Sequence, residues 1–388
     1  MTNLWSLDII CHMIQRFYTN LDVLIKPHRV LIIYGPRRVG KTTLLQTYLD
    51  TTTLKYKLDS GDNIRTQQVL SSQDFSLILS YIEGYRLLAI DEAQQIPNIG
   101  MGLKIIIDQA PEIQVIATGS SSFDPANQVG EPLTGRKTTI TLYPIAQAEL
   151  LNQYNTFELK QKLEEFLIFG SYPEVITAKT RDEKIAILQE IVNSYLLKDI
   201  LSFEKVKSSQ IIFHLLKLLA FQVGNQVSLN ELATGLAIDV KTVGRYLDLL
   251  EKSFVIVPVT GFSRNLRSEI VSKNKYYFLD NGIRNAVVSQ FNELPDRNDA
   301  GQLFENFIVM ERMKKRAYQH ILRNAYYWRT YGQQEIDLVE EGEGKLEGYE
   351  VKWGSGKTIS APRDWKESYK NAIFRVINRE NYLDFITQ

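Results

Sequence analysis

The sequence predicts a multi-domain α/β protein whose first third folds around a parallel β-sheet. In that third, short β-branched runs alternate with helical stretches, which is the pattern of a parallel α/β domain. From about residue 157 to 203 apolar residues recur at spacings of three and four, which indicates helices. After residue 261 strands and helices mix again. With 388 residues, at roughly 150 per domain, the chain is long enough for two or three domains.

The composition excludes several classes of protein. Hydrophobic residues make up 44% and charged residues 23% of the chain, so wholesale disorder is excluded. The single cysteine, Cys11, excludes a disulfide framework and a cysteine-based zinc site. No apolar run approaches the roughly 20 residues of a membrane-spanning helix, and the N-terminus lacks a signal peptide, so we expect a cytoplasmic protein with no membrane partner. The net charge is zero, with 45 basic and 45 acidic side chains, which argues against bulk coating of nucleic acid but allows a local basic face.

The predicted elements follow one another in a regular order. Strands of the first third are predicted at Val30–Tyr34, 56–59, Leu87–Asp91, 113–118 and 138–142. Changes in periodicity place domain boundaries near residues 145, 205 and 262, which divides the chain into segments 1–145, 146–205, 206–262 and 263–388.

The first strand leads directly into the motif G-x-x-x-x-G-K-T at residues 35–42. Gly35 and Gly40 allow the backbone N–H groups to point at a phosphate, at the positive end of the following helix. Lys41 is expected to contact the β- and γ-phosphates, and the Thr42 hydroxyl to ligate magnesium. A chance Gly-rich turn is the alternative interpretation, against which the flanking strand and helix argue. The motif predicts ATP and Mg²⁺ as cofactors, bound by Gly35, Pro36, Arg37, Arg38, Val39, Gly40, Lys41, Thr42 and Thr43.

Two later strands also end in polar residues. Asp91 and Glu92 end an apolar strand, where Asp91 can hold the magnesium shell and Glu92 can orient or deprotonate the attacking water. Because unpaired buried charge is costly, two acids at this point indicate a cation or a substrate, although a plain helix cap is the alternative. The strand 113–118 leads into Gly-Ser-Ser-Ser, where Thr118 or Ser120 is the candidate for a group that senses the γ-phosphate; a Ser-rich turn is the alternative.

These residues, in this order, resemble the prokaryotic archaeal-type AAA+ ATPases. The resemblance extends from about residue 10 to the end and includes GPRRVGKTTLL (35–45), LAIDEAQ (88–94), ATGSSS (117–122), LTGR (133–136), FGSYPEV (169–175), YLLKDI (195–200), YFLDNGIRNAV (277–287), WRTYGQQEIDLV (328–339) and YEVKW (349–353). The last three resemble the uncharacterised C-terminal domain usually fused to this ATPase.

The resemblance implies an AAA+ P-loop parallel sheet (1–145) with a helical lid (146–205). It also implies a homo-oligomer, with a hexameric ring favoured, in which an arginine reaches the neighbour's γ-phosphate. Arg136 matches that position best, and a plain surface arginine is the alternative. Arg37 and Arg38 are a family feature that could contact either the nucleotide or an adjacent subunit.

Residues 228–250 are typical of a helix-turn-helix, which predicts a winged helix-turn-helix over 206–262. Ser228 and Glu231 form a capping box, and the strand 254–259 would begin a wing. The outer face of the second helix, including Tyr246, is where such a helix meets DNA, while packing against protein is the alternative. The nucleic-acid contacts predicted on this helix and on the basic segment 261–275 are Lys241, Thr242, Arg245, Arg264, Arg267, Lys273 and Lys275.

The last segment contains spaced carboxylates that resemble the PD-(D/E)xK nuclease superfamily. Asp337 precedes a Gly-rich turn, after which Glu350 and Lys352 share one face of a strand. With Glu305 on a preceding helix, these residues could bind a divalent metal and hydrolyse a phosphodiester. A Pro before the Asp is absent, and a nuclease fold retained as a binding platform, with an Asp337–Lys352 salt bridge, is the alternative.

The sequence therefore predicts an α/β protein with an AAA+ core, a lid, a winged helix-turn-helix and a restriction-endonuclease-like domain at 263–388. The expected function is ATP hydrolysis that remodels or translocates duplex or branched DNA. Two alternatives remain, namely an ATP-dependent switch acting on a protein partner and an ATP-gated, metal-dependent nuclease.

Overall fold

The computed structural model of the protein describes residues 14–120, 132–196, 209–263, 273–354 and 359–388. The chain forms two compact units, one of residues 16–143 and the other chiefly of residues 144–388. Among the helices of the described ranges, none combines the length and apolar character needed to cross a membrane.

A parallel sheet forms the centre of the first unit. Its strands are β1 (Val30–Tyr34), β2 (Tyr56–Ser60), β3 (Leu87–Asp91), β4 (Gln114–Gly119) and β5 (Lys137–Thr141), in the spatial order β2-β3-β4-β1-β5. All four neighbouring pairs are parallel, so the predicted parallel sheet is confirmed. The helices between the strands are α1 (Lys41–Thr51), α2 (Ile64–Ser71), α3 (Phe75–Ile82) and α4 (Ile99–Gln109).

Hydrophobic burial fixes the central strands β1, β3 and β4. Their apolar residues, such as Ile32, Ile90 and Ala117, are fully buried and pack with the isoleucines of α4 in one core. Continuous apolar runs of this kind are what a parallel sheet covered on both faces requires. The helices begin at side-chain caps where the sequence offers them: Asn63 accepts from the N–H of Arg65, and Asp74 from that of Leu77.

The second unit begins with short helices. These are α5 (Gln147–Leu150), α6 (Thr156–Gln161), α7 (Leu163–Phe169), α8 (Pro173–Thr177) and α9 (Arg181–Glu190), the last of which continues into a wider helical turn, Ile191–Leu196. A group of longer helices follows: α10 (Ser209–Phe221), α11 (Leu229–Leu236) and α12 (Val240–Lys252). Ser228 caps α11, and Asp239 caps α12 by accepting from the N–H of Thr242.

A six-stranded sheet completes the second unit, in the order β11-β10-β9-β8-β6-β7. Its strands are β6 (Ile256–Gly261), β7 (Lys275–Phe278), β8 (Asn324–Arg329), β9 (Glu335–Gly342), β10 (Lys345–Val351) and β11 (Ile373–Ile377). The accompanying helices are α13 (Asn281–Val287), α14 (Ala300–Tyr318), α15 (Arg363–Ser368) and α16 (Tyr382–Thr387). β6 pairs antiparallel with β7 and parallel with β8, so the strand expected to begin a wing is also part of this larger sheet.

Two sequence segments from the resemblance, 169–175 and 277–287, pack against each other inside the second unit. Asp280 accepts a hydrogen bond of 2.7 Å from the N–H of Ser171, and the Asn285 amide donates to the carbonyl of Ile168 at 2.8 Å. A Cβ at Gly282 would lie 2.1 Å from the carbonyl oxygen of Phe169, so only glycine fits there. These residues therefore hold α7 to α13.

Candidate nucleotide site and C-terminal charge cluster

The loop between β1 and α1 has the backbone geometry of a phosphate cradle. Gly35 and Gly40 have φ of 147° and 90°, and Arg38 has φ of 60°. A Cβ at Gly35 would lie 2.1 Å from the carbonyl oxygen of Leu142, which explains the glycine. Gly40 begins α1 without a side-chain cap, so the N–H groups of the first helical turn remain directed at the loop.

Lys41 lies inside this loop. Its side chain is buried, and its Nζ donates to the carbonyl oxygens of Gly35 at 3.0 Å and Pro36 at 2.7 Å. These contacts hold a positive charge at the centre of the cradle. Arg37 and Arg38 are half-buried, Val39 is fully buried, and Thr43 lies within α1, where its carbonyl accepts from the hydroxyl of Thr47.

The end of β3 faces the start of α1. The Thr42 hydroxyl donates to Asp91 Oδ2 at 2.9 Å, while Asp91 Oδ1 accepts from the hydroxyl of Thr118. A hydroxyl and a carboxylate side by side are hard oxygen ligands of the kind magnesium prefers, so these residues fit Mg²⁺. A cleft of about 310 Å³ opens beside them, lined in part by Gln46, Ser60 and Asn63.

Glu92 is held at the end of β3 in a left-handed backbone conformation, with φ of 52°. For a residue other than glycine this conformation costs about 1–3 kcal/mol, and such strain is concentrated at functional sites. The Glu92 N–H donates to Thr118 Oγ1 at 3.0 Å, and the carboxylate accepts from the side-chain amide of Gln94. Asp91 and Glu92 thus lie at one strand end with different side-chain partners.

Gln94 connects Glu92 with Ser120. The Gln94 amide donates to Ser120 Oγ at 3.1 Å, and the N–H of Ser120 donates back to Gln94 Oε1 at 3.3 Å. Both Thr118 and Ser120 are fully buried, and they have different partners: Thr118 contacts Asp91, whereas Ser120 reaches Glu92 through Gln94. The sequence prediction had not assigned Gln94, although its place two residues after Glu92 was a usable signal.

Arg16 is a second residue that sequence reasoning missed. One guanidinium nitrogen donates to the carbonyl of Val39 in the loop, and the other donates to the carbonyl of Tyr143 at 2.7 Å. Arg16 therefore fixes the loop from a position 23 residues earlier in the chain. No motif surrounds it, so no pattern in the sequence indicated this contact.

Arg136 lies at the opposite edge of the sheet from the loop. Its carbonyl accepts from the N–H of Val30 at the start of β1, and its Nε forms an ion pair of 2.8 Å with Asp108. At about 3.3 Å per residue, β1 separates Arg136 from the loop of the same chain by ~13 Å. Its side chain is 43% exposed. Arg136 therefore lies at a distance from the loop of its own chain.

The outer face of α12 carries two of the predicted nucleic-acid contacts. Lys241 and Arg245 are exposed, and Thr242 is half-buried with its hydroxyl donating to Asp239 at 2.6 Å. Tyr246, which was expected on an outer face, is buried, so that prediction is wrong. Its ring packs inside while the Arg245 guanidinium lies 5.6 Å from the ring centroid.

The prediction that Lys275 contacts nucleic acid is also wrong. Lys275 is 1% exposed, and its Nζ lies 2.5 Å from Glu335 Oε1, 3.5 Å from Glu305 Oε1 and 3.9 Å from Asp337 Oδ1. Three carboxylates therefore compensate the burial of one ammonium. Burial alone would lower the pKa of Lys275, but Glu305, Asp337 and Glu335 raise it above its usual value. Lys273 is exposed as expected, whereas Arg264 and Arg267 lie outside the described residues.

The carboxylates expected to hold a second metal ion have partners within the chain. Glu305 accepts from the Tyr277 hydroxyl at 2.7 Å, Asp337 from the N–H of Val351 at 2.8 Å, and Glu350 pairs with Lys352 at 2.5 Å. Within the described ranges, no three or more His, Cys, Asp or Glu side chains are placed to hold a metal ion. Lys275 supplies the positive charge that a metal was expected to supply, and Lys352 pairs with Glu350 rather than with Asp337.

Comparisons with known protein families match three parts of the chain. The model of an AAA domain matches residues 27–151, which contain the cradle, Asp91 and Glu92. Two domains of unknown function match the rest, DUF8612 over residues 160–294 and DUF4143 over residues 300–383. The chain thus carries an AAA-type ATPase domain followed by a DUF4143 C-terminal domain.

The chain is also similar over most of its length to uncharacterised proteins of distant organisms. A Mycobacterium tuberculosis protein is 26% identical over 334 residues, which cover 85% of this chain and 72% of the relative. A Haemophilus influenzae protein is 28% identical over 313 residues (74% of each chain), and a Methanocaldococcus jannaschii protein 25% identical over 350 residues (84% and 76%).

The charge cluster predicts a pH-dependent stability. Burial, together with the negative charges of Asp337 and Glu335, raises the pKa of Glu305 from 4.5 to about 7. Lys275 and the hydrogen bond from Tyr277 act in the opposite direction. Between about pH 4.5 and 7 the unfolded chain loses a proton that the folded protein keeps, so folding is disfavoured as pH rises. Relative to wild type, Glu305→Gln should gain roughly 2–3 kcal/mol of stability from pH 5 to pH 8.

Urea unfolding of both proteins at the two pH values measures this difference. The comparison at pH 5 is the internal control, because the wild-type carboxyl is then largely protonated and resembles the amide. A stability difference that is the same at both pH values would contradict the prediction.

Proposed function

We propose that this protein hydrolyses ATP at the carboxyl-terminal edge of its first sheet and uses the reaction to remodel or translocate DNA. The observation that carries the ATPase proposal is one hydrogen-bonded network at that edge. It joins Thr42, Asp91 and Thr118, and continues through the backbone of Glu92 to Gln94 and Ser120. The loop with Lys41 lies at the other end of the same network.

Each residue in the network has a distinct chemical task. Lys41 and the loop N–H groups neutralise the phosphate oxygens, and Thr42 with Asp91 would hold magnesium. When bound, magnesium neutralises charge on the β- and γ-phosphate oxygens. Glu92 orients the attacking water and accepts its proton. The Gln94 amide donates to both Glu92 and Ser120, and Ser120 directly follows β4. A movement of β4 caused by the γ-phosphate would therefore change the position of Glu92, which is the proposed base.

The first prediction for this mechanism concerns Lys41 and Glu92. Lys41→Ala should abolish ATP turnover because the cradle loses its buried cation. Glu92→Gln should bind ATP with near wild-type affinity but hydrolyse it about 10²–10⁴-fold more slowly, since the amide cannot accept a proton. Phosphate release and equilibrium binding of a fluorescent ATP analogue measure the two effects.

Glu112→Gln is the matched control, because Glu112 is an exposed carboxylate of the same unit outside the network. It should hydrolyse ATP at the wild-type rate. Robust hydrolysis by Glu92→Gln would remove Glu92 from the mechanism.

We further propose a homo-oligomer, with a hexameric ring favoured, in which Arg136 of one subunit completes the site of the next. The support is its exposure and its place at the edge of the sheet remote from its own loop. Arg136→Ala should lower turnover ~10³-fold or more. Mixing Arg136→Ala with Lys41→Ala should restore activity above the sum of the two separate preparations, because the second supplies the arginine and the first supplies an intact site.

Asp108→Ala is the control for the mixing experiment, since it removes the ion-pair partner of Arg136 but leaves the guanidinium. It should retain wild-type turnover. An absence of any gain on mixing, or a monomer by light scattering in the presence of ATP, would contradict an arginine acting between subunits.

The DNA proposal is supported by α12, whose exposed Lys241 and Arg245 are one helical turn apart. Lys241→Ala/Arg245→Ala should weaken duplex binding and lower the slope of log K against log salt by about 2, at roughly 0.9 per phosphate contact. The control Lys217→Ala/Lys252→Ala removes the same charge from the exposed Lys217 of α10 and from the half-buried Lys252 at the end of α12, which pairs with Asp248 at 2.8 Å. Equal slopes in both double variants would contradict DNA contact through Lys241 and Arg245.

The effect of DNA on the ATP turnover rate separates this proposal from a switch that acts on a protein partner. A DNA-remodelling enzyme should hydrolyse ATP faster in the presence of DNA. A turnover rate that is indifferent to single-stranded, duplex and branched DNA would favour the switch. Phosphodiester hydrolysis is not part of the proposal, because Lys275 pairs with Glu305 and Asp337, two of the carboxylates expected to hold a metal.

A further inference from the structure

A cleft of about 650 Å³ opens in the second unit, beside the buried charge cluster. This volume lies within the range of about 300–1,000 Å³ that is usual for ligand pockets. Its walls include the side chains of Gln226, Lys273, Tyr327, Arg329, Tyr331 and Gln333. Among the described residues that line it, none is acidic.

The base of the cleft is rigid. Tyr327 is 1% exposed, and its hydroxyl donates to the carbonyl oxygen of Lys273 at 2.5 Å while accepting from the Gln226 side-chain amide at 2.7 Å. This single hydroxyl therefore fixes the backbone that carries Lys273 against β8. A cation presented from a fixed backbone requires less ordering when a ligand binds.

Two cations face this cleft in different ways. Lys273 is exposed, whereas Arg329 is partly exposed and lies 3.2 Å from Glu335 Oε2. The other oxygen of Glu335 contacts the buried Lys275 at 2.5 Å. Glu335 therefore positions Arg329 and shares its negative charge between Arg329 and Lys275.

Tyr331 stands at the tip of the β8–β9 hairpin. The turn is closed by hydrogen bonds of 3.0 Å between the N–H of Gln333 and the carbonyl of Thr330, and between the N–H of Thr330 and the carbonyl of Gln334. The Tyr331 side chain is fully exposed, at 110% of its reference area. The tight turn thus leaves both faces of the Tyr331 ring exposed, in the cleft that Lys273 and Arg329 also line.

We infer that this cleft binds single-stranded nucleic acid. The inference rests on the proposed action on DNA, and it specifies that the second unit binds the DNA as a single strand. Tyr331 stacks on an unpaired base, Lys273 and Arg329 contact the flanking phosphates, and the amide of Gln333 reaches a base edge. Aromatic stacking beside cations is how proteins bind single strands, whereas the bases of a duplex are stacked on each other and offer no free face.

The test is fluorescence anisotropy of the full-length protein, without nucleotide, with a labelled 20-mer as a single strand and as a duplex. Tyr331→Ala should weaken single-strand binding ~5- to 100-fold, the usual loss for one stacked base, and change duplex binding less than twofold. Tyr331→Phe, which keeps the ring, should bind like wild type. Lys273→Ala/Arg329→Ala should lower the salt slope for the single strand by ~1.4, at about 0.7 per contact.

Unchanged single-strand affinity in Tyr331→Ala would overturn the inference, as would an equal loss for single strand and duplex, which would indicate a general basic surface. Failure of the proposed function looks different. Suppose that single-strand binding depends on Tyr331 but that no form of DNA changes the ATP turnover rate. This result would support the single-strand site and reject the DNA-remodelling proposal. Loss of duplex binding in Lys241→Ala/Arg245→Ala, with no effect of Tyr331→Ala on the single strand, would reject the cleft alone.

Discussion

The parallel direction of β1, β3 and β4 is the constraint on which the nucleotide site depends. Parallel strands bring their carboxyl ends to one edge of the sheet, and β4 lies between the other two. Thr118, at the end of β4, can therefore donate to Asp91 and accept from the backbone of Glu92, while Thr42 reaches Asp91 from the far side. Without β4 in the middle, the cradle and the acids would be two separate features. The almost complete burial of the three strands makes this alignment rigid.

The C-terminal cluster depends on a different constraint, the cost of burying charge. Glu305, Glu335 and Asp337 come from one helix and one strand, and their mutual repulsion has to be compensated. In many proteins a cation bound from solvent would do this. Here Lys275, from β7, does it within the chain. The carboxylates here therefore stabilise a buried ammonium within the fold.

Much of the nucleotide site could be predicted from the sequence, because its residues belong to contiguous motifs beside apolar strands. Gly35, Lys41, Asp91 and Glu92 were indicated by local pattern alone. Arg16 was not, because a contact between residues distant in sequence leaves no local pattern. Lys275 was misassigned for a related reason: a lysine in a basic stretch is usually solvated, and the three carboxylates that bury it lie at least 30 residues further along the chain. Local charge counting cannot detect such a pairing.

The same pairing changes what zero net charge means for this protein. Many of the described charges neutralise one another in the interior. Glu340 is completely buried between Arg312 and Arg316, and Asp299 binds both Arg284 and Arg297. Charges paired in this way release no counterions when DNA binds, so they contribute nothing to its salt dependence. The cations that remain at the surface of α12 and of the cleft therefore determine the electrostatic part of any nucleic-acid affinity. In the proposed single-strand contact, the additional affinity would come from stacking on the exposed ring of Tyr331.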